Sequence, residues 1–218
     1  MNQQPGTTWE WAGASAGIAA VLLLGISYAI TSTTTANPAA GDADYVRALL
    51  AERMKWEWVT FVRLVGGTLV LWLMGSLSGR LRAVEGEPGR LATAAFGLGV
   101  VWAGVWLLSA FFNSASILLA ADYANASGSR IAGVLAREAP FVLTGGVVFA
   151  LLLATSFVTF RFGGFPTTYA YGTSAAAVAT LVLALADWYG PRNFGPAVVG
   201  VALAWTATTS ALILRGRV

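Results

Sequence analysis

Arg63 is the residue whose type and place most call for explanation. Its guanidinium belongs four residues inside an apolar run that opens near Val59, about 6 Å deep at the helical rise of 1.5 Å per residue. Thr60, Gly66 and Gly67 lie three and four residues away, so one face of that helix is small and polar and suits helix packing better than lipid. Two fates are open to the charge. It snorkels to the nearer interface, as long basic side chains near span ends do, or it turns into the protein and pairs with a carboxylate. The second fate points to Asp122 and Asp187, both directly on span ends; Glu138 precedes a proline that would swing it away. Asn113 is the other polar residue at depth. An unmatched amide in hydrocarbon costs several kcal/mol, so Asn113 bonds a neighbouring helix or meets a ligand. Arg63, Asn113, Asp122 and Asp187 are therefore the candidate ligand-binding residues, with Asn113 beneath an arginine–carboxylate pair that roofs the helices.

The rest of the inventory excludes chemistry. The chain has no cysteine and no histidine, which removes disulfides, thiolate nucleophiles, imidazole bases and the usual zinc and haem ligands. Gly13-Ala14-Ser15-Ala16-Gly17 spells the G-x-S-x-G of a nucleophile elbow, but it lies inside an apolar helix with no histidine to serve it. Its small residues read as a helix-packing face instead. No phosphate-cradling G-x-x-x-x-G-K-[ST] occurs, and the only lysine, Lys55, sits in a charged segment. No catalytic, cofactor-binding or metal-ligating set emerges, and no enzymatic activity is expected.

The elements that must position these residues are membrane helices. Of 218 residues, 57% are hydrophobic and 11% charged, with a mean hydropathy of +0.70, where soluble domains carry about 25% charged residues. Six apolar stretches of spanning length read at about 11–31, 58–78, 91–121, 140–160, 168–186 and 196–214. The expected fold is all-α, a polytopic bundle of six transmembrane helices in one domain over 1–218, with an amphipathic helix before the second span. That helix is read from Val46, Leu49, Leu50, Met54 and Trp58 at three- and four-residue steps, with Asp42 or Asp44 as its cap. After the third span, Ser127 or Ser129 starts a short amphipathic turn, and Pro140 opens the fourth span as a first-turn proline.

Six spans put both termini on one side. Arg80, Arg82, Arg90, Arg161, Arg215 and Arg217 crowd the span ends there, which by the positive-inside tendency makes it the cytoplasm of a bacterial cytoplasmic membrane. The opposite side holds Arg47, Arg53, Lys55, Arg63, Arg130, Arg137 and Arg192 with most of the acids, a mixed-charge face that is either a vestibule or merely solvated loops. Thirteen bases against ten acids give a net charge of +3, but scattered over short loops they form no nucleic-acid footprint. The partners expected are the bilayer and a second membrane protein or a second copy.

The charged helix entering the second span (ADYVRALLAERMKWEW), the LSGRLRA turn and the RGRV terminus together resemble small six-span membrane proteins of actinobacteria filed as domains of unknown function. The resemblance covers most of the length and implies the six-span fold; it brings no activity and no site residues. The working expectation is binding or transport of a small solute or lipid at a polar outer-facing site. The alternative is a non-catalytic accessory subunit whose small-residue faces pair with another membrane protein.

Overall fold

The computed structural model describes residues 8–37, 39–189 and 194–216. Arg192 and Arg217, used in the orientation argument, and the 190–192 part of the expected interfacial loop lie outside the described residues. Seven helices and no strand occur among the described residues: α1 Thr8–Ser32, α2 Asp42–Ala51, α3 Arg53–Glu85, α4 Arg90–Ala121, α5 Ala126–Phe162, α6 Thr167–Tyr189 and α7 Gly195–Leu214. All but the short α2 are long and apolar enough to cross a membrane. The chain is an all-α, multi-pass membrane protein.

Polar contacts show each long helix running antiparallel to the next. Glu10 meets Arg80 at one end of the α1–α3 pair, and Ser27 meets Arg63 toward the other. Ser78 bonds Ala92 across α3 and α4, Ser116 bonds Ser129 across α4 and α5, Ser156 bonds Ala170 across α5 and α6, and Tyr169 bonds Thr209 across α6 and α7. Residues 8 and 214 thus share one end of the molecule, the terminal end; α2 and the starts of α3 and α5 lie at the other, the distal end. At the terminal end the Glu85 carboxylate accepts from the backbone N–H groups of Leu91 and Ala92 at 2.9 and 2.8 Å. Negative charge there satisfies two orphan donors and complements the α4 dipole.

Several local expectations need correction. α2 starts after Gly41 without a side-chain cap. Asp42 stands in the first turn and reaches α5 instead, in an ion pair with Arg130, whose Nε is 2.5 Å away, and accepting from the Ser127 hydroxyl. α2 buries Tyr45 and Leu49, whereas Leu50, Met54 and Trp58 of the expected stripe are exposed. For Met54 and Trp58 the cause is Glu52, whose φ −113° and ψ 22° break the helix, so residues before and after it no longer share a face; Leu50 lies on the outer face of α2 itself. Tyr45 tolerates burial because its Oη lies 3.0 Å from Ser116 Oγ.

α5 is likewise one helix from Ala126 to Phe162, capped by Asn125, whose side-chain oxygen accepts from Gly128 N. Neither Ser127 nor Ser129 caps it, and Pro140 stands in its interior, not in a first turn. A proline there removes the N–H that would bond the carbonyl of residue i−4. The carbonyl released is that of Ala136.

Candidate functional site

Close packing sets the stage for Arg63. A Cβ on Gly66 would come within 2.8 Å of Leu24 of α1, and one on Gly67 within 3.2 Å of Trp106 of α4. Two adjacent glycines therefore let α3 press against α1 on one side and α4 on the other. Arg63, one turn away, is flanked by both helices. It is 6% exposed, and neither snorkels nor pairs with a carboxylate. Its Nε donates to Ser27 Oγ at 2.9 Å, one terminal nitrogen to Ser109 Oγ at 2.8 Å and to the Ala136 carbonyl at 3.3 Å, and the other to Thr31 Oγ1 at 3.2 Å.

The partners are oriented for this task. Ser109 commits its own proton to the Ala136 carbonyl at 2.5 Å, and Thr31 commits its proton to the Ser27 carbonyl at 2.8 Å, so each presents a lone pair to the guanidinium. The Ala136 carbonyl is free to accept twice because Pro140 supplies no donor to it. Four of the five guanidinium N–H groups are used. All four partners are neutral.

The expected pairing of Arg63 with Asp122 or Asp187 is therefore absent. Asp187 accepts from Phe194 N and Gly195 N at 2.8 and 3.1 Å and so caps α7. Asp122 ends α4 and borders a shallow hollow with Arg53 and Glu57. Both carboxylates stay at the surface, where water and backbone donors stabilise them; moving one inward would add a second desolvation penalty to the first. Asn113 also differs from expectation in place. Its amide nitrogen donates to the Trp56 carbonyl at 2.9 Å and to Thr60 Oγ1 at 2.7 Å, one α3 turn nearer the distal surface than Arg63. It ties α4 to α3 and does not lie beneath the arginine.

Arg63 forms part of the wall of a cavity of about 530 Å³ at the distal end, a volume typical of small-molecule sites. α1 contributes Ser27 and Thr31, the α1–α2 loop contributes Thr34 to Asn37, and α5 contributes Gly133, Arg137 and Pro140. Tyr45 closes it from α2, and Trp56 and Trp106 complete it from α3 and α4. The loop is held in place by Glu52 at the helix break, whose carboxylate accepts from Thr35 N at 2.8 Å. Two arginines line the cavity and no carboxylate does. Trp56 and Trp106 are 8% and 3% exposed, and their indole N–H groups have no hydrogen-bond partner. The unmet groups of the wall are donors.

Of the four sequence-derived candidates, only Arg63 lines this cavity; Asn113, Asp122 and Asp187 do not. Sequence reasoning missed Ser27, Thr31, Ser109 and Ala136. Ser27 and Thr31 did carry a signal, two hydroxyls four residues apart near the end of an apolar span. No family model, curated protein or solved structure matches the chain.

Proposed function

We propose that the distal cavity binds a small anionic solute or the anionic headgroup of a lipid, and that Arg63 is its principal contact. The observation that supports this reading is a buried guanidinium held only by neutral oxygens in the wall of a cavity that no carboxylate lines; the other arginine of the wall, Arg137, lies 4.0 Å from Glu138 and is already paired. Hydroxyl and carbonyl dipoles solvate the charge but leave it net positive. An ionisable group within membrane helices marks function by default, and a guanidinium in a dry setting favours carboxylate and phosphate. Trp56 and Trp106 of the same wall carry indole donors without a partner, which suits an acceptor-rich ligand.

The membrane is proposed to be a bacterial cytoplasmic membrane with the terminal end in the cytoplasm, so that the cavity opens outward. Reporter fusions at Glu85 and at the C-terminus should then report cytoplasm, and one near Asn37 the outside; an external Glu85 fusion would move the cavity to the cytoplasmic face. Binding itself is tested by titrating the purified full chain with acetate, inorganic phosphate and dioctanoyl phosphatidate while following indole fluorescence. Arg63→Met should weaken the best of the three by at least about tenfold, since a hydrogen bond to a charged group is worth about 1.5–3 kcal/mol. Equal affinity in wild type and Arg63→Met would refute the reading.

A further inference from the structure

The Arg63 guanidinium has two forked edges, Nε with Nη2 and Nη1 with Nη2, and its partners divide between them. Ser27 and Thr31 line the distal cavity, whereas Ser109 and Ala136 do not. Ser27 Oγ accepts from Nε at 2.9 Å and Thr31 Oγ1 from Nη2 at 3.2 Å, so the edge toward the cavity is the Nε–Nη2 edge. Nη1 is committed on the far side, to Ser109 Oγ and the Ala136 carbonyl. At most one N–H, on Nη2, is left for a ligand.

One N–H does not make a fork. Carboxylates and phosphates typically take two parallel N–H···O bonds from one edge of an arginine, and here two oxygens already stand on the edge that a cavity ligand would meet. Both belong to α1, on residues four apart and therefore neighbours on one helix face. Both are neutral. An oxyanion in their place would accept the same two bonds and bring a counter-charge, in a setting where water screens charges weakly. The hydroxyls leave by rotation about χ1, and Thr31 stands one residue from the end of α1, where the chain itself gives way most easily.

We propose that Ser27 and Thr31 are stand-ins for the two oxygens of a carboxylate or phosphate, and that the anion binds by displacing them from the Nε–Nη2 edge of Arg63. The inference rests on the anion reading of the distal cavity and deepens it in two ways. The site selects anions that present two oxygens to one edge over a halide, which presents a single point. Occupancy also frees α1 from the two bonds that Arg63 makes to it, while Ser109 and Ala136 keep hold of Nη1.

The test follows the Arg63 Nε–H resonance in the full chain, labelled on its arginine nitrogens for NMR and held in an alkyl-maltoside detergent; Arg63→Met identifies the resonance by difference. The probes are acetate, inorganic phosphate, dioctanoyl phosphatidate and chloride. In the wild type at least one oxyanion should shift the resonance saturably and bind at least about tenfold more tightly than chloride, as one further bond to a charged group would give. Phosphatidate acting where phosphate does not identifies a lipid headgroup as the source. The double variant, Ser27→Ala with Thr31→Val, vacates the edge and should bind that oxyanion at least about tenfold more tightly than wild type, with little change for chloride. Hydroxyls that merely support the site would give the opposite sign. Lower or unchanged oxyanion affinity in the double variant overturns the displacement, as does a bound oxyanion that leaves the Nε–H resonance in place, or chloride that binds wild type as well. Where the double variant does not fold, the wild-type resonance and the chloride comparison decide. Failure of the anion reading itself has another signature, which removes this inference with it: no probe binds wild type or the double variant, or Arg63→Met binds as wild type does.

Discussion

Arg130 and Arg63 stand on helices that touch, toward the same end of the molecule, and meet opposite fates. Arg130 is partly exposed and finds Asp42 at 2.5 Å. Arg63 is buried and finds three hydroxyls and a carbonyl. The rim of the distal end is otherwise neutralised in the same manner as Arg130, with Arg47 on Asp44, Arg53 on Glu57, Lys55 on Glu52 and Arg137 near Glu138. At the rim water shares the work, and a carboxylate partner is cheap to place but adds little. Inside, a carboxylate would itself have to be stripped of water. The protein uses dipoles there, which lower the cost of the buried charge without cancelling it, and the charge remains for a ligand.

The largest effect that could break this contrast is steric. Gly66→Leu drives a side chain into Leu24 and separates α1 from α3, so it should cost about 3 kcal/mol, at the upper end for overpacking. It should also expose Arg63, as measured by denaturant unfolding together with accessibility of the α1–α3 seam. A variant as stable as wild type would mean that the helices do not need the glycine, and that Arg63 is placed by something else.

Next in size are the hydroxyls. Ser27→Ala and Ser109→Ala each remove an acceptor from a buried cation and should each destabilise by about 1.5–3 kcal/mol, the range for hydrogen bonds to charged groups. Losses as small as those at the rim would erase the distinction drawn between the two arginines. Asn113→Leu should cost less, about 0.6 kcal/mol, the average for hydrogen bonds between membrane helices, and should leave anion binding intact. Lost binding with unchanged stability would instead move Asn113 into the site.

The smallest effect belongs to the rim pair. The Ser127 hydrogen bond, aided by the charge of Arg130, holds the Asp42 carboxyl below its ordinary value of 3.8. A carboxyl with a lowered folded-state pKa stabilises above its unfolded value, and the contribution disappears as pH falls through the lowered one. Arg130→Met should therefore have only a slight effect at neutral pH, further reduced by high salt, and the wild-type advantage should vanish in acid below about 3.8. An advantage that persists under those conditions would show that Arg130 acts through packing.

The long helices were legible because spans are written in length and hydropathy, which neither neighbour nor register can alter. The face chosen for α2 was not, since a helical stripe assumes one continuous helix and Glu52 interrupts it. Pro140 was misread for a related reason. Proline favours a first turn, yet the run from Val134 to Ala139 that leads into it holds no glycine or other breaker, and that continuity was the available sign of one long helix. Arg63 was legible as an inward-turning residue from Gly66 and Gly67. Its partners were not, because a carboxylate search looks for charge, whereas the partners are three hydroxyls and a backbone carbonyl freed by a proline on another helix.

The central claim is that the Arg63 charge is left available for an anion, and ligand-linked stability tests it most directly. Unfolding of wild type and Arg63→Met is followed while phosphate replaces an inert anion at constant ionic strength and pH. A site that binds only the folded state raises stability by RT ln(1 + [L]/Kd), about 2.7 kcal/mol at one hundred times Kd. The account predicts a saturable rise in the wild type and a flat line for Arg63→Met. Parallel curves for the two proteins, whether both rising or both flat, would contradict it.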